Sequence, residues 1–296
     1  MPEVMPKHMR EQVSTPLTLS PKAWSIQATA GSKQYLIVPS DATTLDSAQQ
    51  HSDNIPTADW FNPEYWQAQD KITGTNSGRG ITYFIQHGKL NMVLRRYLRG
   101  GLIAKLIKQS FCFAGVYRTR VYQEMALLEY MRNSDLPVPR PIVGMITRHS
   151  YGLVYRNSIL IERIADAQDL HAYMLQQSLP EHTWTALGHV IARMHLVGVD
   201  HHDLNIENIL LDQQDKLWLI DFDKCGMFAQ DSVTAWPIDN IARLARSIRK
   251  KHTLHATYHV SAKDWTALLS GYQTQLQNEA PEVIAQIGDK LNLIRI

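Results

Sequence analysis

Two cysteines in 296 residues, Cys112 and Cys225, indicate neither a disulfide framework nor a thiolate zinc site. No apolar run approaches the roughly 18 residues that a membrane-spanning helix needs. Met1 to Arg10 lacks the apolar core of a secretory signal, so a cytoplasmic setting is the expectation. Charge of one sign is missing too. Thirty Lys and Arg face 28 Asp and Glu, a net of +2, so an electrostatic partner must be recognised by local clusters. Internal repeats are absent. What remains is an apolar fraction of 44% in a chain long enough for one two-lobed unit or two small domains.

Against that background one stretch stands out. Between Met194 and Gly226 lie His201-x-Asp203-Leu204-x-x-x-Asn208, two apolar runs around a polar turn, and Asp221-Phe222-Asp223. Ile209-Leu210-Leu211 and Leu217-Trp218-Leu219-Ile220 read as buried strands, with Gln213 to Lys216 as the hairpin turn. Asp203 and Asn208 then end one short loop, and the hairpin returns Asp221 beside Asn208. Phosphoryl transfer from ATP needs a carboxylate for the acceptor hydroxyl, plus an amide and a second carboxylate for magnesium. Asp203, Asn208 and Asp221 supply that set in the order of the kinase signature.

Upstream, Gly74-x-x-x-Gly78-Arg79-Gly80 precedes the strand Ile81 to Ile85, and glycines there permit a tight turn whose amides approach phosphates. The strand Leu90 to Tyr97 follows the turn at His87-Gly88-Lys89, and its period of two puts Val93 and Arg95 on one face. A helical pattern runs from Thr119 through Val121, Met125, Leu128 and Met131, and carries Glu124. Leu136 to Pro141 must be extended because residues before proline avoid the helical region. Ser158 to Ile164 reads as a buried strand leading to a hinge, where backbone groups of Glu162 to Ile164 would meet an adenine edge. Ser178-Leu179-Pro180-Glu181 reads as a capped helix start. Further helices are expected with Ile238, Ile241, Leu244 and Ile248, and with Trp265, Leu268, Leu269, Tyr272 and Leu276, facing inward. His252, His255 and His259 read as satisfied or solvated rather than metal-binding.

The residues His201-His202-Asp203-Leu204-Asn205 and Asp221-Phe222-Asp223 resemble the bacterial Kdo kinases. Gly78-Arg79-Gly80, Val93-Leu94-Arg95, Arg99-Gly100-Gly101-Leu102 and Leu136-Pro137-Val138-Pro139-Arg140-Pro141 extend the resemblance over about residues 60 to 272. It implies an α+β, two-lobed protein-kinase-like fold with the active site in the cleft. The divisions expected are a partly ordered N-terminal extension over 1–59, whose apolar run Tyr35 to Pro39 would add a strand to the following lobe, a small lobe over 60–164 and a helical lobe over 165–296. It implies ATP and Mg2+ as cofactors. The acceptor would be the 4-hydroxyl of 3-deoxy-D-manno-octulosonic acid (Kdo) on a lipid A precursor, at the cytoplasmic face of the inner membrane.

In site terms, Asp203 would act as base, and Asn208 and Asp221 would hold metal. Gly78 and Gly80 would cover the phosphates. Arg95 stands where kinases place a phosphate-binding Lys, with Glu124 as its partner; Arg is no neutral swap for Lys, and Arg96 and Lys89 are the alternatives. Glu162 and Ile164 would meet the base. His201 is assigned to bracing the loop, while His202 and Asp223 stay open between acceptor and metal. Arg95, Arg96, Arg99, Lys105, Lys108, Arg118 and Arg120 form a basic region with interleaved aromatics, and Arg243 to Lys251 another. These suit an anionic glycolipid or membrane surface, a solvated face being the other reading; no nucleic-acid motif accompanies them. Oligomeric state is open. Two rivals remain: another acceptor on the same fold, such as a core heptose, a small amino alcohol or a protein, and a non-catalytic lipid-binding module.

Overall fold

The computed structural model describes residues 17–28, 33–40, 55–77, 81–97, 111–149, 153–228 and 236–296. Within these the chain divides into two compact units, one of residues 17–130 and 139–165, the other of 131–138 and 166–296.

The first unit is built on one antiparallel sheet. Its elements are β1 (Trp24–Ala28), β2 (Gln34–Pro39), the short helix α1 (Pro63–Gln67), β3 (Ile72–Ser77), β4 (Ile81–His87) and β5 (Leu90–Arg96). Then come β6 (Phe111–Cys112), α2 (Arg120–Asn133), β7 (Pro141–Arg148) and β8 (Val154–Glu162). The strands run in the order β1-β2-β7-β8-β5-β4-β3, with β6 on β8. Strand alternation decides which side chain meets which layer. Leu90, Met92 and Leu94 of β5 pack with Trp60, Phe61 and Trp66 on one face. The opposite face, with Ile37, Ile146 and Ile159, receives Val121, Tyr122 and Met125 of α2.

Residues expected in an N-terminal extension therefore include two strands of this sheet, β1 and β2. Gly74 also differs from its expected place in a turn ahead of a strand. It lies inside β3 beside a bulge, and a Cβ there would come within 3.2 Å of the Phe84 ring. Period-two reading missed β3 because Gly and Thr at 73–75 weaken the apolar alternation.

The second unit holds β9 (Gln168–Asp169), α3 (Leu170–Met174), α4 (Glu181–Leu196), β10 (Val199–Asp200), β11 (Ile209–Leu211), β12 (Leu217–Leu219), β13 (Gly226–Met227), α5 (Trp236–Leu254), α6 (Ala262–Glu279) and α7 (Pro281–Leu291). The expected hairpin forms, with Ile209, Leu210 and Leu211 opposite Leu219, Trp218 and Leu217. Its turn is organised by Asp212, whose carboxylate accepts the Gln214 and Lys216 amides, both at 2.9 Å.

Ser178 does not cap α4. The cap residue is Pro180, which makes no side-chain cap bond, so the helix starts later than the motif suggested. Proline fixed near φ −65° takes an extended ψ here and ends the approach to the helix. Against α4 lies α6, and two glycines allow the approach. A Cβ on Gly188 would stand 2.1 Å from the Leu268 carbonyl oxygen, and one on Gly271 2.1 Å from that of Thr185. Among the described residues no helix is long and apolar enough to cross a membrane.

Candidate active site

The catalytic loop follows β10, whose Val199 and Asp200 pair with Met227 and Gly226 of β13. Burial then grades along the chain: His201 is fully buried, His202 half-buried, and Asp203 exposed. Asn205 caps the 3-10 turn over 206–208 by accepting the Glu207 amide at 2.9 Å, which turns the chain back into β11. Ser247 Oγ of α5 accepts the Ile206 amide at 3.1 Å.

Within this loop Asp203 and Asn208 are bonded to each other, and Asn208 to the residue that precedes Asp221. Asn208 Nδ2 donates to the Asp203 carbonyl at 2.9 Å, and the Ile220 amide donates to the Asn208 carbonyl at 3.0 Å. Because the amide nitrogen of Asn208 is engaged, its oxygen is the atom left for a cation. Asp221 sits at φ 65°, a conformation that Asp tolerates better than most residues. Asn208 and Asp221 thus present one amide oxygen and one carboxylate, the hard oxygen donors that Mg2+ takes in small number beside nucleotide phosphates. Among the described residues no group of three or more His, Cys, Asp or Glu is gathered for a metal.

His201 is a brace. Its Nε2 lies 3.0 Å from the Ile220 carbonyl, and its Nδ1 accepts the Asp203 amide at 3.3 Å. Burial pushes its pKa down, which keeps the ring neutral with the proton on Nε2. The ring also packs on Phe222 at 4.7 Å between centroids. One neutral imidazole therefore ties Asp203 to the peptide that enters Asp221.

In the sheet unit, the alternation that buries Leu94 turns Arg95 towards α2. There Arg95 is ion-paired with Glu124, and Glu124 is 3% exposed. Tyr97 Oη donates to the same carboxylate at 2.5 Å. Arg120, a further member of the expected basic region, lies over the Phe111 ring at 4.9 Å and over Tyr97 at 5.5 Å. These two arginines stack on aromatics, whereas Arg96 and Arg118 are exposed. At the end of β8, the Glu162 amide donates to Arg140 and the Arg163 amide to Asn91. The Glu162 carboxylate accepts the Arg140 amide at 3.0 Å. Gly78, Gly80, Arg99, Lys105 and Lys108 lie outside the described residues.

Sequence reasoning missed Asn240. It is 1% exposed on the apolar face of α5, donates to Asp200 at 2.6 Å and accepts the His201 amide at 2.9 Å. The available signal was a polar residue inside the helical pattern of Trp236, Ile241, Leu244 and Ile248. Ile238, expected inward, is only half-buried.

An Asp–Asn loop followed by a second Asp, and a cation–Glu pair between strand and helix with Arg95 in the place of Lys, match the working parts of a protein-kinase-like phosphotransferase. Residues 63–272 match the family described as lipopolysaccharide kinase (Kdo/WaaP). A protein of Vibrio vulnificus described as 3-deoxy-D-manno-octulosonic acid kinase is 45% identical over 215 residues, 73% of this chain and 89% of that protein. A Haemophilus influenzae protein of the same description is 40% identical over 220 residues, 72% of this chain and 90% of that one. Among solved structures, one titled "WaaP in complex with acyl carrier protein" aligns at TM-score 0.47 and 14% identity, covering 77% of this chain and 92% of that chain. The chain belongs to the lipopolysaccharide kinase (Kdo/WaaP) family and is an ATP-dependent kinase.

Proposed function

We propose that this kinase transfers the ATP γ-phosphate to the 4-hydroxyl of Kdo on Kdo-bearing lipid IVA. The observation that carries the reading is the bonded Asp203–Asn208–Ile220 network in a chain 45% identical to a protein described as a Kdo kinase. Asp203, exposed and held through its main chain, orients the acceptor hydroxyl and takes its proton. Asn208 and Asp221 would hold Mg2+, which would neutralise charge on the phosphates. Arg95, fixed by Glu124, contacts phosphate oxygens, with Gly78 and Gly80 covering them. An adenine edge at Glu162–Ile164 would use the Glu162 carbonyl and the Ile164 amide, since the Glu162 and Arg163 amides are committed.

With a lipid-borne acceptor and ATP as donor, the enzyme would work at the cytoplasmic face of the inner membrane. Basic residues such as Arg96, Arg118, Arg246 and Lys250, all exposed, would meet its anionic surface. The test is fragmentation mass spectrometry of the product formed from magnesium-ATP and Kdo-bearing lipid IVA. Phosphate at ring position 4 of Kdo is expected. Phosphate on another position or transfer only to a core heptose would overturn the acceptor assignment.

A further inference from the structure

We propose that Asp200 and His202 form a positioning pair for the catalytic loop, so that His202 serves the reaction through Asp200 rather than by touching acceptor or metal. The inference rests on Asp203 being the base. The Asp200 side chain is 1% exposed, and His202 Nε2 lies 2.9 Å from its Oδ2. Its other oxygen accepts from Asn240 at 2.6 Å, and Asn240 also accepts the His201 amide at 2.9 Å. A buried carboxylate without a partner is costly, and one partner removed leaves the charge stranded. Burial alone would raise the Asp200 carboxyl; the bonds from His202 and Asn240 outweigh it and hold Asp200 below its usual pKa.

The pair sits one residue on either side of His201, and so controls how the loop enters Asp203. With His202 turned onto Asp200, His201 is pinned by Asn240, by the Ile220 carbonyl and by the Asp203 amide. Asp203 is then pinned at both main-chain groups, since Asn208 donates to its carbonyl. Only its carboxylate is left to move. Among the described residues near Asp200 are His195 of α4 and His201, both neutral through burial. Arg243 of α5 reaches the His201 carbonyl at 3.5 Å. His202 Nε2 thus stands in ion-pair contact with the Asp200 carboxylate, on the side of the loop that leads to Asp203.

The experiment compares wild type, His202→Ala, His202→Arg, Asp200→Asn, the Asp200→Asn/His202→Ala double variant and Asp203→Asn. Transfer to Kdo-bearing lipid IVA is measured, with ATP hydrolysis as the acceptor-independent rate. Hydrogen exchange of the 200–204 amides is followed by mass spectrometry. His202→Ala should lower kcat by about 10²-fold, as a small misplacement of a base does, with KM for ATP and acceptor held within about twofold. Exchange in the loop should quicken. His202→Arg should recover at least about tenfold and slow exchange again, because its fork also fits a carboxylate. The double variant should be no slower than His202→Ala.

A raised acceptor KM with kcat kept, or additive losses in the double variant, would overturn the pair. So would unchanged loop exchange in His202→Ala. If Asp203→Asn keeps full activity, the base assignment fails instead, and exchange still judges the pair on its own.

Discussion

His201 Nε2 donates to the Ile220 carbonyl at 3.0 Å while its Nδ1 accepts the Asp203 amide. Asp203 and the peptide that leads into Asp221 are thereby joined through a single buried ring. This arrangement needs the neutral Nε2–H tautomer, and burial pushes the ring pKa in the direction that keeps it so. Nitrogen NMR of histidine-labelled protein at neutral pH should show that tautomer at His201. His201→Phe keeps the packing on Phe222 but strands a buried carbonyl and an amide. A loss of about 1–3 kcal/mol in stability is expected from denaturant titration, with a fall in kcat. An imidazolium at position 201 near neutral pH would refute the bracing role.

Glu124 accepts from both Arg95 and Tyr97 while almost fully buried. Glu124→Gln removes the charge that aims Arg95. Charge-assisted bonds contribute about 1.5–3 kcal/mol, so ATP affinity should fall by about 10- to 100-fold. Calorimetric titration with magnesium-ATP reads this directly. Arg95→Lys should fall between wild type and Arg95→Ala, since Lys keeps charge but not the fork.

His195 gives an acid-stability prediction whose sign is fixed. Burial pushes its pKa down to about 4, and its Nδ1 is hydrogen-bonded to Tyr272 Oη at 2.7 Å. Between the ordinary value of about 6.5 and the folded value, the unfolded chain holds a proton that the folded chain does not. Stability therefore falls as pH drops through that window, by on the order of 3 kcal/mol in all. His195→Gln keeps a hydrogen-bonding partner for Tyr272 and should flatten the decline of Tm from pH 6.5 to 4. An equal decline in the variant would contradict the assignment.

Gly188→Ala should be severe although the change is one methyl. The added carbon would meet the Leu268 carbonyl at 2.1 Å, so α4 and α6 must part. Overpacking of this kind costs about 1–3 kcal/mol. Thermal unfolding of Gly188→Ala and Gly271→Ala should show lowered Tm in both, and Ala at the exposed neighbour Thr274 should not.

Local chemistry was legible in the sequence, and long-range closure was not. The hairpin carrying Asn208 and Asp221 spans few residues and its apolar runs declare it. Arg95 and Glu124 were paired by the resemblance and by their order in the chain, while the periods of two and 3.6 placed them only on their strand and helix. The Asp200–Asn240 bond joins residues 40 apart, and only the polar break in the α5 pattern hinted at it. Nothing in local pattern announces that Gly188 and Gly271 let two helices touch, because a small residue in a helix looks the same whether it faces solvent or backbone. Ser178 shows the opposite error. A cap-like motif was present, and the rigid proline two residues later moved the start of α4 past it.

The most direct measurement is transfer of phosphate from magnesium-ATP to Kdo-bearing lipid IVA by the wild-type chain and by Asp203→Asn, read by mass spectrometry. One phosphate added to the acceptor by the wild type and none by the variant is the predicted result. Transfer that survives Asp203→Asn undiminished, or ATP turnover that never reaches the Kdo-bearing acceptor, would contradict it.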